Sequence, residues 1–213
     1  MNQFADTALI LVLLSVLASF GAGRIPTLIK ILAFQGIVVS LIPLVVGHHM
    51  SVGGMAFTCA TLLIRGVVIP VAILLAIKRV AIRREVDPIV GPHVSLLAAL
   101  LLLVAAFYVS GKIDIPVAGR SELLLPTAIT LLVAGMFLLM SRRNAIAMVL
   151  GYMMMENGIY LGGTTLSSRA HHIVEFGILL DVLAGVMLMA VILQNIKRTI
   201  DAVDTSLLRT LKD

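Results

Sequence analysis

Long apolar runs dominate this chain and leave it few ways to fold. They lie near residues 5–22, 27–46, 55–77, 93–110, 122–141, 144–166 and 172–196. Each has the length that a helix needs to cross about 30 Å of hydrocarbon. Turn-forming and charged segments separate them: "GAGRIP", "GHHMSVGG", "KRVAIRREVDPIVGP", "GKIDIPVAGR", "SRRN" and "SSRAHH". Lipid offers the backbone no hydrogen bonds, so a chain patterned this way spans the bilayer as helices. The expectation is an all-α integral membrane protein of seven transmembrane helices. Composition agrees, because only 13% of the 213 residues are charged, against roughly 25% in a soluble domain. No stretch is left for a sizeable soluble domain.

The basic residues orient the stack. Arg24, Lys30, Lys78, Arg79, Arg83, Arg84, Arg142, Arg143, Lys197, Arg198, Arg209 and Lys212 fall on one side. Lys112, Arg120 and Arg169 fall on the other, and Arg65 lies within a span. By the positive-inside rule, the N-terminus is expected outside and the C-terminus in the cytoplasm. The net charge of +5 therefore reads as a topology signal, not as a nucleic-acid surface. No Lys or Arg precedes the first span, so it has no signal-peptide n-region. After the last span, Ile200, Val203, Leu207 and Leu211 recur at helical spacing, with Asp201, Asp204, Thr205 and Lys212 between them. That pattern predicts an amphipathic tail over residues 199–213.

The sequence carries no sign of a nucleotide site or a redox centre, so electron chemistry is expected to belong to another chain. Its one cysteine, Cys59, can form neither an internal disulfide nor the usual four-thiolate iron–sulfur site. CxxC, GxGxxG and GxxxxGK[ST] are all absent. His48, His49, His171 and His172 come in adjacent pairs, which point apart on a helix, and read against a metal site. The eleven methionines read as gap-filling packing.

The charges inside the spans carry the functional argument. Glu156 lies 13 residues beyond Arg143, roughly 20 Å from the cytoplasmic face at the helical rise. Arg65 lies 13 residues before Lys78 and Asp181 16 residues before Lys197, roughly 20 Å and 24 Å from the same face. Three ionisable groups on three helices thus share one layer near the bilayer midplane, where each is costly. Tyr152, Glu156 and Tyr160 share one stripe of the sixth helix, and Ala147, Gly151, Gly158 and Gly162 another. The small-residue stripe predicts close helix packing, and the other presents a carboxylate between two phenols. On the seventh helix Gly177, Asp181 and Gly185 align; on the third, Thr58, Thr61 and Arg65 do. Pro70 cannot donate to the carbonyl of Gly66, so a local break beside Arg65 is expected.

Two readings of these charges remain open on residues alone. Arg65 with one carboxylate would make a static interhelical ion pair. Two carboxylates and one arginine do not balance, however, so one acid would be protonated part of the time, as a proton relay requires. Glu175 stands three to four residues from His171 and His172, near the outer boundary and about 120° around the helix from Asp181. A solvated interfacial role suits Glu175 and His172, as a place where protons would join or leave.

"SRRNAIAMVLGYMMMENGIYL" and "HHIVEFGILLDVLAGVMLMAVILQNIKRT" together resemble the hydrogenase-4 component E family, as do the tail "LLRTLKD" and, more weakly, "LLIRGVVIPVAIL". The likeness covers most of the chain and is strongest from Ser141 onward. Those proteins are membrane subunits of energy-converting nickel–iron hydrogenase and formate hydrogenlyase complexes. Helices five to seven are also similar to the K subunit of respiratory complex I and to related cation/proton antiporter subunits. The RRN motif, Gly151, Asn157, and Asp181 four residues before Gly185 match that pattern. Two positions depart from it: Met153 stands where the complex I subunit has its first glutamate, and the second acid is Asp181 instead of Glu.

The resemblance implies a non-catalytic subunit of the cell's inner (cytoplasmic) membrane. It implies an N-terminal extension of four helices over 1–111, a K-subunit-like core over 112–198 and the tail over 199–213. Expected partners are large antiporter-like membrane subunits, a membrane anchor subunit and a cytoplasmic NiFe hydrogenase-type module. The NiFe centre and Fe–S clusters would belong to those partners. Within this chain the relay would comprise Glu156, Asp181, Arg65, Tyr152 and Tyr160. A small stand-alone secondary transporter and a purely structural spacer are the other classes; the chain shows no inverted repeat that would favour the former.

Overall fold

A computed structural model of the chain describes residues 2–46, 52–79, 91–113, 121–142 and 144–166, together with residues 185, 186 and 189. The described residues are built into helices. These are α1 (Asn2–Gly21), α2 (Ile25–Val46), α3 (Val52–Leu63), α4 (Ile69–Arg79), α5 (Pro92–Ser110), α6 (Leu124–Ser141) and α7 (Ala145–Leu166). A π-helical turn, Ile64–Val68, joins α3 to α4 so that the two form one continuous span.

Among the described residues, five stretches are long and apolar enough to cross a membrane: Gln3–Gly21, Ile25–Ile42, Thr58–Leu75, His93–Ser110 and Leu124–Ser141. They correspond to the first five expected spans, and the chain is a membrane protein. The sixth expected span is α7. Its 22 residues suffice in length, but Tyr152, Glu156, Asn157 and Tyr160 make it more polar than the other five. The seventh expected span, with Asp181, and the tail fall outside the described residues apart from the three positions named above.

Helix ends follow local chemistry. The carbonyl of Arg24 accepts from the backbone N–H of Thr27 and Leu28 at 3.1 Å, so α2 begins at Ile25, two residues earlier than the apolar run predicts. Pro92 opens α5, where its missing N–H is no loss. Asn144 Oδ1 accepts from the backbone N–H of Ile146 at 3.0 Å and starts α7. Hydroxyls buried in the apolar helices donate to a carbonyl one turn back. Ser40 does so to Gly36 at 2.7 Å and Thr130 to Pro126 at 2.7 Å, so neither needs an external partner.

The most extensive pairing is α6 against α7. In lipid, apolar area gives helices little reason to associate, and close van der Waals approach does the work. Here glycines make that approach possible. A Cβ on Gly135 would lie 2.3 Å from the backbone nitrogen of Met155, one on Gly158 2.5 Å from that of Leu132, and one on Gly151 2.6 Å from that of Leu139. The small-residue stripe expected on the sixth helix is therefore its contact face with α6. Gly162 lies at its loose end, where a Cβ would meet only the Ala128 methyl at 3.8 Å.

α1 and α2 pack together and reach α6 and α7. Phe20 of α1 stacks on Phe137 of α6 with ring centroids 5.6 Å apart. One core cluster includes Leu9, Val16 and Phe20 of α1, Leu28 and Val39 of α2, Leu131 and Leu138 of α6 and Leu150 of α7. Ser121, just before α6, donates to Asp6 of α1. α5 presents Leu97, Leu101 and Val104 outward, as a lipid-facing helix does.

Candidate functional site

The site begins with a fault in the third span. Pro70 has no N–H to donate, and the regular ladder cannot continue through it. The ladder widens there, with the backbone N–H of Ile69 donating to the carbonyl of Ile64, five residues back. π turns of this kind recur at functional sites. Arg65 sits on this one. The break expected beside Arg65 thus takes the form of a π turn.

Two glycines let that turn seat against α2. A Cβ on Gly36 would lie 3.2 Å from the Arg65 Cβ, and one on Gly66 would lie 2.8 Å from Ile37 Cγ1. Arg65 is therefore held at its base by the α2 backbone. Thr58 and Thr61, which align with it along α3, are buried as it is.

The guanidinium ends on α7. Arg65 Nη2 donates to Glu156 Oε1 at 2.5 Å, and Nη1 donates to Asn157 Oδ1 at 3.3 Å. The guanidinium carbon stands 4.7 Å from the centroid of the Tyr160 ring. Arg65 and Glu156 are each 3% exposed. A planar, permanently charged fork thus meets a carboxylate, an amide oxygen and an aromatic face at once. Tyr152 is buried on the same stripe of α7, one turn before Glu156.

Of the residues expected to form the relay, the structure brings Arg65, Glu156 and Tyr160 into direct contact and places Tyr152 beside them. Asp181, Glu175 and His172 lie outside the described residues. The sequence reading missed Asn157 as a ligand of Arg65, although its place next to Glu156 in an apolar helix was the available sign. It also missed Gln35, a buried amide in α2. Among the described residues, no group of three or more His, Cys, Asp or Glu could hold a metal ion. Arg142, at the end of α6, is buried with Nε and Nη2 lacking a hydrogen-bond partner among the described residues. Its pKa is pulled below the usual arginine value by desolvation.

Comparison with known proteins finds likenesses to a respiratory oxidoreductase chain and to hydrogenase-4 component E. Residues 123–213 match the family described as NADH-ubiquinone/plastoquinone oxidoreductase chain 4L. The chain is 35% identical over 123 residues to hydrogenase-4 component E of Escherichia coli, which is 57% of this chain and 56% of that protein. Hydrogenase-4 component E of Shigella flexneri gives the same values. An uncharacterized protein of Mycobacterium tuberculosis is 29% identical over 188 residues, 87% of this chain and 86% of its own length. No solved structure matches the chain. Both likenesses read from the residues, to hydrogenase-4 component E and to the complex I subunit in the C-terminal region, are thus found. The aligned stretch spans little more than half of the Escherichia coli protein.

Proposed function

We propose that this chain is a non-catalytic membrane-arm subunit of a redox-driven, ion-translocating complex of the hydrogenase-4 or formate-hydrogenlyase type. Within it, Glu156 is a titrating carboxylate on a proton (or Na⁺) path. The observation that carries this reading is the buried contact of Arg65 with Glu156, in a chain similar to hydrogenase-4 component E. An arginine favours the ionised carboxylate and burial favours the neutral one, so small changes in the surrounding field shift the proton. Asp181 is the next station on the seventh span. Tyr152, Tyr160 and bound water bridge the gap, and Glu175 with His172 mark the outer mouth. The chain lies in the cytoplasmic (inner) membrane with its N-terminus outside. Its partners are antiporter-like membrane subunits, an anchor subunit and a cytoplasmic module that carries the NiFe centre and Fe–S clusters. The extension over 1–111 is an addition to the K-type core.

A second reading has an observation in its favour. Arg65 is engaged on three sides, by Glu156, Asn157 and Tyr160. A pair so fully satisfied is also what a structural spacer would use to fix helix register. Co-purification in mild detergent tests the assignment to a complex. Hydrogenase-type and antiporter-like chains should be captured with this one; recovery of the chain alone would overturn it.

A further inference from the structure

Two described side chains hold buried polar atoms without a hydrogen-bond partner among the described residues, Gln35 and Arg142. Gln35 is the one inside a membrane span. It interrupts the apolar sequence "ILAFQGIVVSL" of α2. It lies on the stripe of Leu28, Leu32, Val39 and Ile42, all buried, and is itself 0% exposed. Neither its Oε1 nor its Nε2 has a partner among the described residues. An amide offers two donor hydrogens and two acceptor lone pairs, and leaving them bare costs more than a hydrogen bond gains. The neighbouring Ser40 satisfies its hydroxyl on the Gly36 carbonyl, and Gln35 does nothing comparable.

The depth of Gln35 is fixed by the next residue. Gly36 abuts Arg65, so Gln35 shares the layer of the charged cluster. α2 also packs against α7, which carries Glu156 and Asn157. The occupant of such a site must both donate and accept hydrogen bonds. A cation is disfavoured by Arg65 in the same layer, and an anion by Glu156. A small neutral molecule with both capacities is water, which buried polar groups of this kind commonly hold.

We propose that Gln35 holds an internal water in the Arg65–Glu156 layer, and that this water extends the proton path from Glu156 into the N-terminal helices. The inference rests on the reading of Glu156 as a titrating group. A proton leaving Glu156 is accepted by the water oxygen as one of that water's own O–H protons passes to the next water of the path, which leaves the water neutral and Glu156 ionised. The amide orients the water and neither gains nor loses a proton, so Gln35 is a positioning residue.

The test compares Gln35→Met with Glu156→Gln in the intact complex, reading proton uptake in sealed vesicles per assembled complex. Uptake should fall about tenfold or more in both variants, a conservative share of the roughly 10²–10⁴-fold that a well-placed proton transfer contributes. Wild-type uptake in Gln35→Met with loss in Glu156→Gln would overturn this inference and leave the relay standing. Wild-type uptake in Glu156→Gln would overturn the relay and this inference with it. If Gln35→Met does not assemble, a map of the wild-type complex that resolves waters decides. Density for a water within hydrogen-bond distance of the amide is expected. An amide bonded directly to a protein group would overturn the proposal.

Discussion

Arg65 and Glu156 stand 91 residues apart in the sequence and meet at 2.5 Å, Nη2 to Oε1, with 3% of each residue exposed. Each would be an isolated charge in a membrane helix without the other. Breaking a buried pair from one side costs about 3–5 kcal/mol, because the remaining charge is left uncompensated. Glu156→Ala and Arg65→Ala should therefore each reduce the assembled, folded protein markedly. The double variant should recover part of the loss. Thermal unfolding of the purified protein in detergent reads this directly, and additive losses in the double variant would mean the pair is not coupled.

Arg65→Lys should be milder than Arg65→Ala but not silent. A lysine keeps the charge opposite Glu156 yet cannot reproduce the planar fork that reaches Asn157 at the same time. Ion uptake per assembled complex should rank wild type, Lys variant, Ala variant. Equal uptake in the Lys and Ala variants would show that charge at residue 65 is irrelevant.

The α6–α7 seam predicts a graded response to small insertions. Gly135→Ala, Gly151→Ala and Gly158→Ala each place a methyl within 2.6 Å of a backbone nitrogen on the facing helix. Overpacking of this kind typically costs about 1–3 kcal/mol, and backbone has less room to yield than a side chain. Gly162→Ala, with its nearest contact at 3.8 Å, should be tolerated. The check is the unfolding temperature of each variant in one detergent. Equal tolerance at Gly158 and Gly162 would contradict the close approach.

The proposed seven-span topology, with the N-terminus outside, predicts opposite locations for two loops. A reporter fused after Arg84 should read cytoplasmic, and one placed between Lys112 and Arg120 should read external. The same side for both would refute the span count.

The tail should act in assembly. Deleting residues 199–213 is expected to weaken the complex without preventing insertion, as judged by co-purification and membrane fractionation. A fully stable and fully active complex after the deletion would show the tail to be dispensable.

Much of this was readable from the residues, for definite physical reasons. Hydrocarbon thickness fixes span length, so the first five spans follow from the apolar runs alone. The missing N–H of Pro70 announced a fault beside Arg65, and the glycine stripe of α7 announced its packing face. Polar contacts were harder. Glu156 and Arg65 fell in one layer by counting residues, but counting gives depth and not azimuth. The pairing of Arg65 with Asn157, and the stacking of its guanidinium on Tyr160, depend on how α7 is rotated against the third span. That rotation is set by Gly36 on α2, Gly135 on α6 and Gly158 on α7 itself, at close contacts that a linear reading does not join. Gln35 escaped notice because one amide in an apolar run carries no periodicity; only its burial beside the Arg65 layer gives it meaning.

Proton uptake in sealed vesicles, normalised to assembled complex, tests the central claim most directly when Glu156→Gln is set against wild type. Glutamine keeps the size and hydrogen-bonding capacity of the side chain and removes its ability to carry the charge. Asp181→Asn makes the same substitution at the proposed next station. The relay account predicts that both variants assemble and that uptake in each falls about tenfold or more. Wild-type uptake in both would contradict it and leave Arg65 and Glu156 a pair that holds helices together.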